Sequence, residues 1–329
     1  MSGLNILKFI SFLTKSQTPG KLKKITLKYL PQFFPIQKIQ FFDVIRLRSK
    51  IKNQKDQKYS IIENLGAKQK NMNVSSKSVM YTAIKQNRNM VTKEKNKIQI
   101  IFPIAVQSEI IHIFFLEVAN TPKHKLEKLL LLMEIIGNHF QLLEEKFRDI
   151  LTGIHNRQAL NNVLQTIFLT EPKKLEGTKP NQISLAIIDI DFFKKINDTF
   201  GHMVGDEILI LFSYIIKSSL RFYDKVFRYG GEEFVVILDG VGKKFAYLIL
   251  ERLRIIIEKY DFPQVKSLTI SIGFTELFVN HSSLTILDQA DRALYYSKET
   301  GRNKVSNYED LLANNLIESV AKEQEIDFW

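Results

Sequence analysis

The sequence predicts an α+β protein in which two sheet-containing domains are joined by one long helix. Three observations carry this reading. After Ile183, apolar strand-like runs alternate with helical patterns. Two β-rich apolar runs, Ile98–Val106 and Ile110–Val118, flank Gln107-Ser108-Glu109 and read as a hairpin. Between these regions, apolar residues recur alternately three and four apart for over three heptads. The length of 329 residues fits about two domains.

In the first hundred residues the signal is weak. Ile6–Leu13 and Ile25–Phe34 have helical spacing, with Pro31 and Pro35 as breakers. Lys52–Lys58 and Lys68–Asn73 read as polar loops. Pro103 places its strand at an edge or a bulge. The long helix runs from about Pro122 to Ile150. Its seam of Leu126, Leu129, Met133, Ile136, Phe140, Leu143, Phe147 and Ile150 predicts a parallel two-stranded coiled coil. A helix packed on its own domain would show the same pattern. The polar stretch Glu171–Gln182 precedes the strand Ile183–Ile190. Then follow a helix (Val204–Ser219), strands Val226–Tyr229 and Phe234–Leu238, and a helix (Lys243–Tyr260). A strand (Leu268–Phe274), a helix (Leu284–Thr300) and an acidic helical tail (Tyr308–Trp329) complete the chain. The expected boundaries are 1–121, 122–150, 151–307 and 308–329.

Composition removes several functions. Cysteine is absent, which excludes disulfides, thiolate zinc sites and a cysteine nucleophile. That fits a reducing compartment, and a cytoplasmic location is expected. No uncharged apolar run reaches the roughly 18–20 residues of a membrane-spanning helix, and the N-terminus reads as a helix, not a signal peptide. The net charge of +12 is uneven. Residues 1–100 hold 21 Lys+Arg against 4 Asp+Glu, whereas the remainder is slightly acidic. Such a field favours anionic lipid or nucleic acid, and a weak attraction to membrane surfaces follows. The plainer reading is a solvated lysine-rich surface. No nucleic-acid module is visible, so no nucleic-acid partner is expected.

Carboxylates stand where an apolar core would not place them. Asp189 closes an apolar strand, and Asp191 lies two residues on, hence on the same face. Glu232 and Glu233 follow Gly230-Gly231 between two further strands. If these strands are neighbours, the carboxylates converge and need a counter-ion; hard oxygen ligands suit Mg²⁺. Taken alone, an N-cap aspartate and two exposed turn glutamates would look the same. Lys194 and the helix opening at Gly201-His202-Met203-Val204-Gly205-Asp206 supply a phosphate cradle. Asn197 and Asp206 can pair with a guanine edge. Lys298 and Arg302 are four apart and can hold a triphosphate.

Five motifs in order then identify a resemblance. Asp149-Ile150-Leu151-Thr152-Gly153-Ile154-His155-Asn156-Arg157 resembles the D-x-L-T-G-x-x-N-R opening of the diguanylate cyclase (GGDEF) domain family. Asp189-Ile190-Asp191-Phe192-Phe193-Lys194 resembles its D-I-D-x-F-K segment. Gly230-Gly231-Glu232-Glu233-Phe234 is similar to the signature in its G-G-E-E-F form. Ser271-Ile272-Gly273 and Ala290-Asp291-Arg292-Ala293-Leu294-Tyr295 through Lys298, Gly301, Arg302 and Asn303 resemble the closing segments.

The resemblance implies a sheet like that of adenylyl cyclases and polymerase palms, and condensation of two GTP to cyclic di-GMP in a homodimer. It implies two Mg²⁺ per site, with Mn²⁺ as a substitute, held by Asp189, the Ile190 carbonyl and Glu232. Glu232, Glu233 and Lys194 are then the catalytic set. Phe193, Asn197, His202, Asp206, Lys298 and Arg302 bind the nucleotide. Arg221 and Asp224 match an R-x-x-D product-inhibition site, for which a surface ion pair is the plain alternative. A catalytically silent nucleotide receptor is the alternative function. Residues 1–121 resemble an α/β GAF-type sensory domain through the helix Met80–Lys85, the strand Ile101-Phe102-Pro103-Ile104 and the hairpin.

Overall fold

The computed structural model describes residues 3–47, 58–65, 68–106, 109–169, 182–265, 267–277 and 283–318. The chain divides into two compact units between Lys146 and Phe147.

The first unit opens with helices α1 (Gly3–Thr14) and α2 (Pro19–Tyr29). Thr18 caps α2 by accepting from the Lys21 N–H, and Pro19 occupies the first turn, where no donor is needed. Strands β1 (Ile36–Leu47), β2 (Lys58–Leu65) and β3 (Lys68–Val74) follow, then helix α3 (Val79–Gln86). Strands β4 (Met90–Lys93), β5 (Lys97–Val106) and β6 (Glu109–Ala119) lead into helix α4 (Lys123–Lys146). All six strands form one antiparallel sheet in the order β3-β2-β1-β6-β5-β4. The expected hairpin is β5–β6. Lys68–Asn73, expected to be a loop, is strand β3; it sits at the sheet edge, where polar side chains are the rule. Pro103 lies beyond the part of β5 paired to β4 and beside a register shift at Ile104/Ala105, so its missing N–H breaks no ladder there. The stretches 52–57 and 171–181, read above as polar loops, lie outside the described residues.

One face of this sheet packs Phe41, Ile100, Phe102, Phe114 and Leu116 against α1, α2 and α4. The other face meets α3 through Ile101, Ile113, Ala83 and Ile84. This arrangement corrects the coiled-coil expectation. Leu129, Met133, Ile136, Phe140 and Leu143 are all under 8% exposed in the single chain, covered by their own sheet. Phe147, next on the seam, is buried in the core of the second unit instead. A stripe already covered at both ends offers no continuous seam to a second helix. Phe140→Ala is therefore expected to destabilise the first unit by about 3–5 kcal/mol. Earlier hydrogen exchange in β5 and β6 is the readout; unchanged protection would return the seam to a partner helix.

His112 on β6 is largely shielded between Phe41 and Phe140. Its Nδ1 lies 2.8 Å from Asp43 on β1, and its Nε2 3.3 Å from Glu144 in the last turn of α4. Burial opposes the charged ring, but hydrogen bonds and attraction from the two carboxylates outweigh it, and the pKa is raised. A pKa raised on folding contributes stability below the ordinary histidine value and loses it as pH climbs through the folded value. The first unit should thus weaken from mildly acidic to mildly alkaline pH, and His112→Gln should flatten that slope in denaturant titrations.

The second unit contains β7 (His155–Asn156), α5 (Arg157–Leu169), β8 (Ile183–Ile190), α6 (Phe193–Phe200) and α7 (His202–Ser219). Next come β9 (Lys225–Arg228), β10 (Glu233–Asp239), α8 (Lys243–Glu258), β11 (Ile270–Glu276), α9 (Ser283–Glu299), β12 (Val305–Asn307) and α10 (Tyr308–Ala313). The strand order is β12-β11-β8-β10-β9-β7. Helices cover both faces. α6, α7 and α8 pack on Ile188, Phe234, Val236 and Ile272, while α5 and α9 pack on Ile187, Val235 and Ile237. Burial on both sides explains the unbroken apolar run of β8. The tail begins as α10, whose Tyr308 and Leu311 are buried against α9.

Candidate active site

The site is built at the end of the central strand. β8 lies between β10 and β11, and the registers place Glu233 and Ser271 directly opposite Asp189. Opposed residues share a face with Cβ atoms about 5 Å apart. The tight turn before β10 sets Glu232 beside them, with the N–H groups of Tyr229 and Gly230 both donating to the Glu233 carbonyl.

Asp189 is 7% exposed, and Lys298 Nζ stands 2.8 Å from its carboxylate. Lys298 is brought there by α9, which lies along β8 and β11. Burial raises the Asp189 pKa despite Lys298, and the Asp191 charge adds to the rise. Burial likewise raises Glu232 and Glu233, reinforced by the charge of Asp189 and opposed by Lys298. Asp291, two turns before Lys298 on α9, is raised by burial and by Asp288. Four carboxylates thus share Lys298 as a close cation. This deficit of positive charge is what a divalent cation would fill.

Asp191, on the same face by sequence, is otherwise engaged. Its carboxylate accepts from Thr269 Oγ1 and Ser271 Oγ, each at 2.7 Å, and from the Asn303 N–H at 3.1 Å. It fastens the strand end to β11 and to the loop after α9. Among the described residues, no three His, Asp or Glu side chains could hold a metal ion by themselves. Asp189, Glu232 and the Ile190 carbonyl still fit Mg²⁺, which commonly takes one or two carboxylates and completes its shell with phosphate oxygens and water.

The phosphate side follows directly. Phe192 has φ +58° and turns the chain into α6, whose first N–H groups have no helical acceptors. Lys194 is exposed in that first turn. Phe193, expected among the nucleotide-binding residues, has a side chain 4% exposed in the core, so it is the backbone N–H that is left for a ligand. The exposed ring is Phe192, with the Arg302 guanidinium stacked 4.6 Å from its centroid. Gly231 has no neighbour within 4 Å of the position a Cβ would take, so nothing in the protein demands glycine there, whereas a ligand lying against the turn would.

Asn197 and Asp206 come from packed helices α6 and α7. A Cβ at Gly205 would lie 1.9 Å from Asn197 Oδ1, so glycine lets this amide lie against α7 one residue before Asp206. Asp206 and His202 are exposed at the opening of α7. Arg221 and Asp224 share one turn, where the Arg221 N–H donates to Asp224 Oδ2 at 2.8 Å. Asp224 is buried, with its pKa raised mainly by that burial, and Arg221 is exposed.

Sequence reasoning assigned no role to Arg228, Arg157 or Asp291. Arg228 donates to Asp149 at 3.0 Å and, twice, to the Gly231 carbonyl. Asp149 also accepts from the Thr152 N–H and hydroxyl, so this opening motif is a clasp on the Gly-Gly turn. Arg157 stacks on Tyr229 at 4.5 Å, and its charge favours ionised Glu233. Asp291 was legible as a residue seven before Lys298, on one helix face.

The chain is similar to known proteins over this unit. Residues 146–304 match the family model described as "Diguanylate cyclase, GGDEF domain". The chain is 39% identical over 199 residues to Diguanylate cyclase A of Treponema denticola, covering 59% of this chain and 52% of that protein. It is 40% identical over 169 residues to Response regulator PleD of Caulobacter vibrioides, covering 50% of this chain and 36% of that protein. The chain therefore spans about half or less of these relatives' length. Among solved structures, the coiled coil and GGDEF domain of DgcB from Caulobacter crescentus, in complex with c-di-GMP, matches with TM-score 0.49 and 28% identity. That match covers 56% of this chain and 98% of the DgcB chain.

Proposed function

Because residues 146–304 match the diguanylate cyclase GGDEF family model, we propose that the protein condenses two GTP into cyclic di-GMP and releases two pyrophosphates. The observation that carries this reading is the group of carboxylates, buried Asp189 with half-buried Glu232 and Glu233, gathered around Lys298 at the end of β8.

In each of two identical steps, a 3′-oxygen attacks the α-phosphorus of the other nucleotide and the bond to the β-phosphate oxygen breaks. Glu232, its pKa raised from the ordinary value by burial, takes the 3′-hydroxyl proton. Asp189, the Ile190 carbonyl and Glu232 would hold Mg²⁺, with Glu233 supporting them. When bound, that metal would neutralise charge on the attacking oxygen and the leaving pyrophosphate. Lys194, Lys298, Arg302 and the Phe193 N–H hold phosphates; Asn197 and Asp206 read guanine, with His202 nearby. Phosphoryl transfer asks a protein mainly for such positioning and neutralisation. One nucleotide per subunit cannot be joined symmetrically within one chain, so a homodimer is the working unit. Incubating the full chain with GTP and Mg²⁺, with the product identified by mass, tests the reading; consumption of no GTP would favour a silent receptor.

The first unit, whose α3 supports the Met80–Lys85 expectation, acts in this reading as a GAF-like regulatory domain. Product inhibition rests on Arg221 and Asp224. Arg221→Ala is expected to relieve inhibition by added cyclic di-GMP while leaving the initial rate nearly unchanged. Equal inhibition of wild type and variant would leave the pair as a turn structure only.

A further inference from the structure

Residues 1–42 contain seven lysines and no arginine, aspartate or glutamate. The structure shows where most of this charge lies. Lys21, Lys24 and Lys28 are exposed at positions i, i+3 and i+7, along one face of α2. Lys8 and Lys15 are exposed on and just after α1. Among them stand two apolar side chains that the core does not use. Leu7 is 65% exposed and Phe12 61%, while Phe9 and Leu13 turn inward. The two helices present one surface, because Phe12 stacks on Tyr29 of α2 at 6.5 Å and Lys28 lies 5.2 Å over the same ring.

We propose that this α1–α2 surface docks on an anionic lipid bilayer, with Leu7 and Phe12 entering the headgroup layer and the lysines set against lipid phosphates. Apolar side chains projecting among lysines are the pattern of helices that lie in a membrane interface. Lysine without arginine suits a diffuse layer of charge, where a point cation suffices; planar, bidentate recognition of single phosphates would call for arginine. This attachment is peripheral: among the described residues no helix is long and apolar enough to cross a membrane. It rests on the first unit alone and stands or falls independently of the enzymatic reading.

Co-sedimentation of the full chain with vesicles tests it. Binding is expected to phosphatidylcholine vesicles containing phosphatidylglycerol, not to phosphatidylcholine alone, and should weaken as salt rises. Each lysine near an anionic surface strengthens attachment about fivefold, so Lys21→Gln, Lys24→Gln and Lys28→Gln together should weaken it roughly a hundredfold. The corresponding arginine variant should bind like wild type. Leu7→Asn, an exposed change, should also weaken binding while leaving far-ultraviolet circular dichroism unchanged. The proposal is overturned if wild type ignores phosphatidylglycerol vesicles or the glutamine variant binds as wild type does. It is equally overturned if duplex DNA at matched phosphate strips the protein from vesicles, or if Leu7→Asn changes oligomeric state but not vesicle binding.

Discussion

Glu232→Gln is expected to lower GTP turnover by about 10³-fold or more, because one carboxylate is asked to hold metal and to accept a proton. The substitution keeps shape and removes charge. Glu232 lies in a turn set by backbone bonds from Tyr229 and Gly230, so the fold should persist. The carboxylate cluster also loses one of its repelling charges, and the variant should unfold no more easily than wild type. Near-normal turnover in a steady-state assay would remove Glu232 from both roles. Asp189→Ala is a less clean partner experiment, since it strands Lys298 in a pocket where the pair is 2.8 Å apart.

ATP should be turned over more slowly than GTP by roughly 10³–10⁴-fold in direct competition, toward the lower side for sites that hydrogen-bond their substrate because Asp206 is exposed. In the proposed role Asp206 would accept from the guanine ring N–H and amine; adenine offers an unprotonated ring nitrogen there. Asp206→Ala should erase most of this preference chiefly through the KM for GTP, since the carboxylates at the end of β8 are untouched. Comparable use of both nucleotides by wild type would end the guanine-reading role of Asn197 and Asp206.

Much of the site was legible because its parts are local in sequence. Asp189, the Gly-Gly turn and the Lys298 helix each declare themselves within a few residues, and strand alternation brings them to one sheet. The fate of Asp191 was not legible. The rule that residues two apart share a face is correct, but its partners Thr269, Ser271 and Asn303 arrive about eighty or more residues later. Phe192 and Phe193 were indistinguishable as neighbours until a positive φ turned one outward and sent the other into the core. The α4 seam was misread for a physical reason: a stripe at three-four spacing is the same whether a helix or a sheet covers it. β1 and β2 were missed and β3 was taken for a loop; β3, at the sheet edge, carries polar residues that disguise a strand.

The Asp149–Arg228–Gly231 clasp has a mechanical consequence. Four hydrogen bonds hold the start of the domain: Arg228 to Asp149, Arg228 twice to Gly231, and Asn156 back to the Arg148 carbonyl. One guanidinium thus spans from Asp149, where the second unit begins, to the carbonyl next to Glu232, so the Gly-Gly turn is buttressed from outside itself and shortening Arg228 would free it at both attachments.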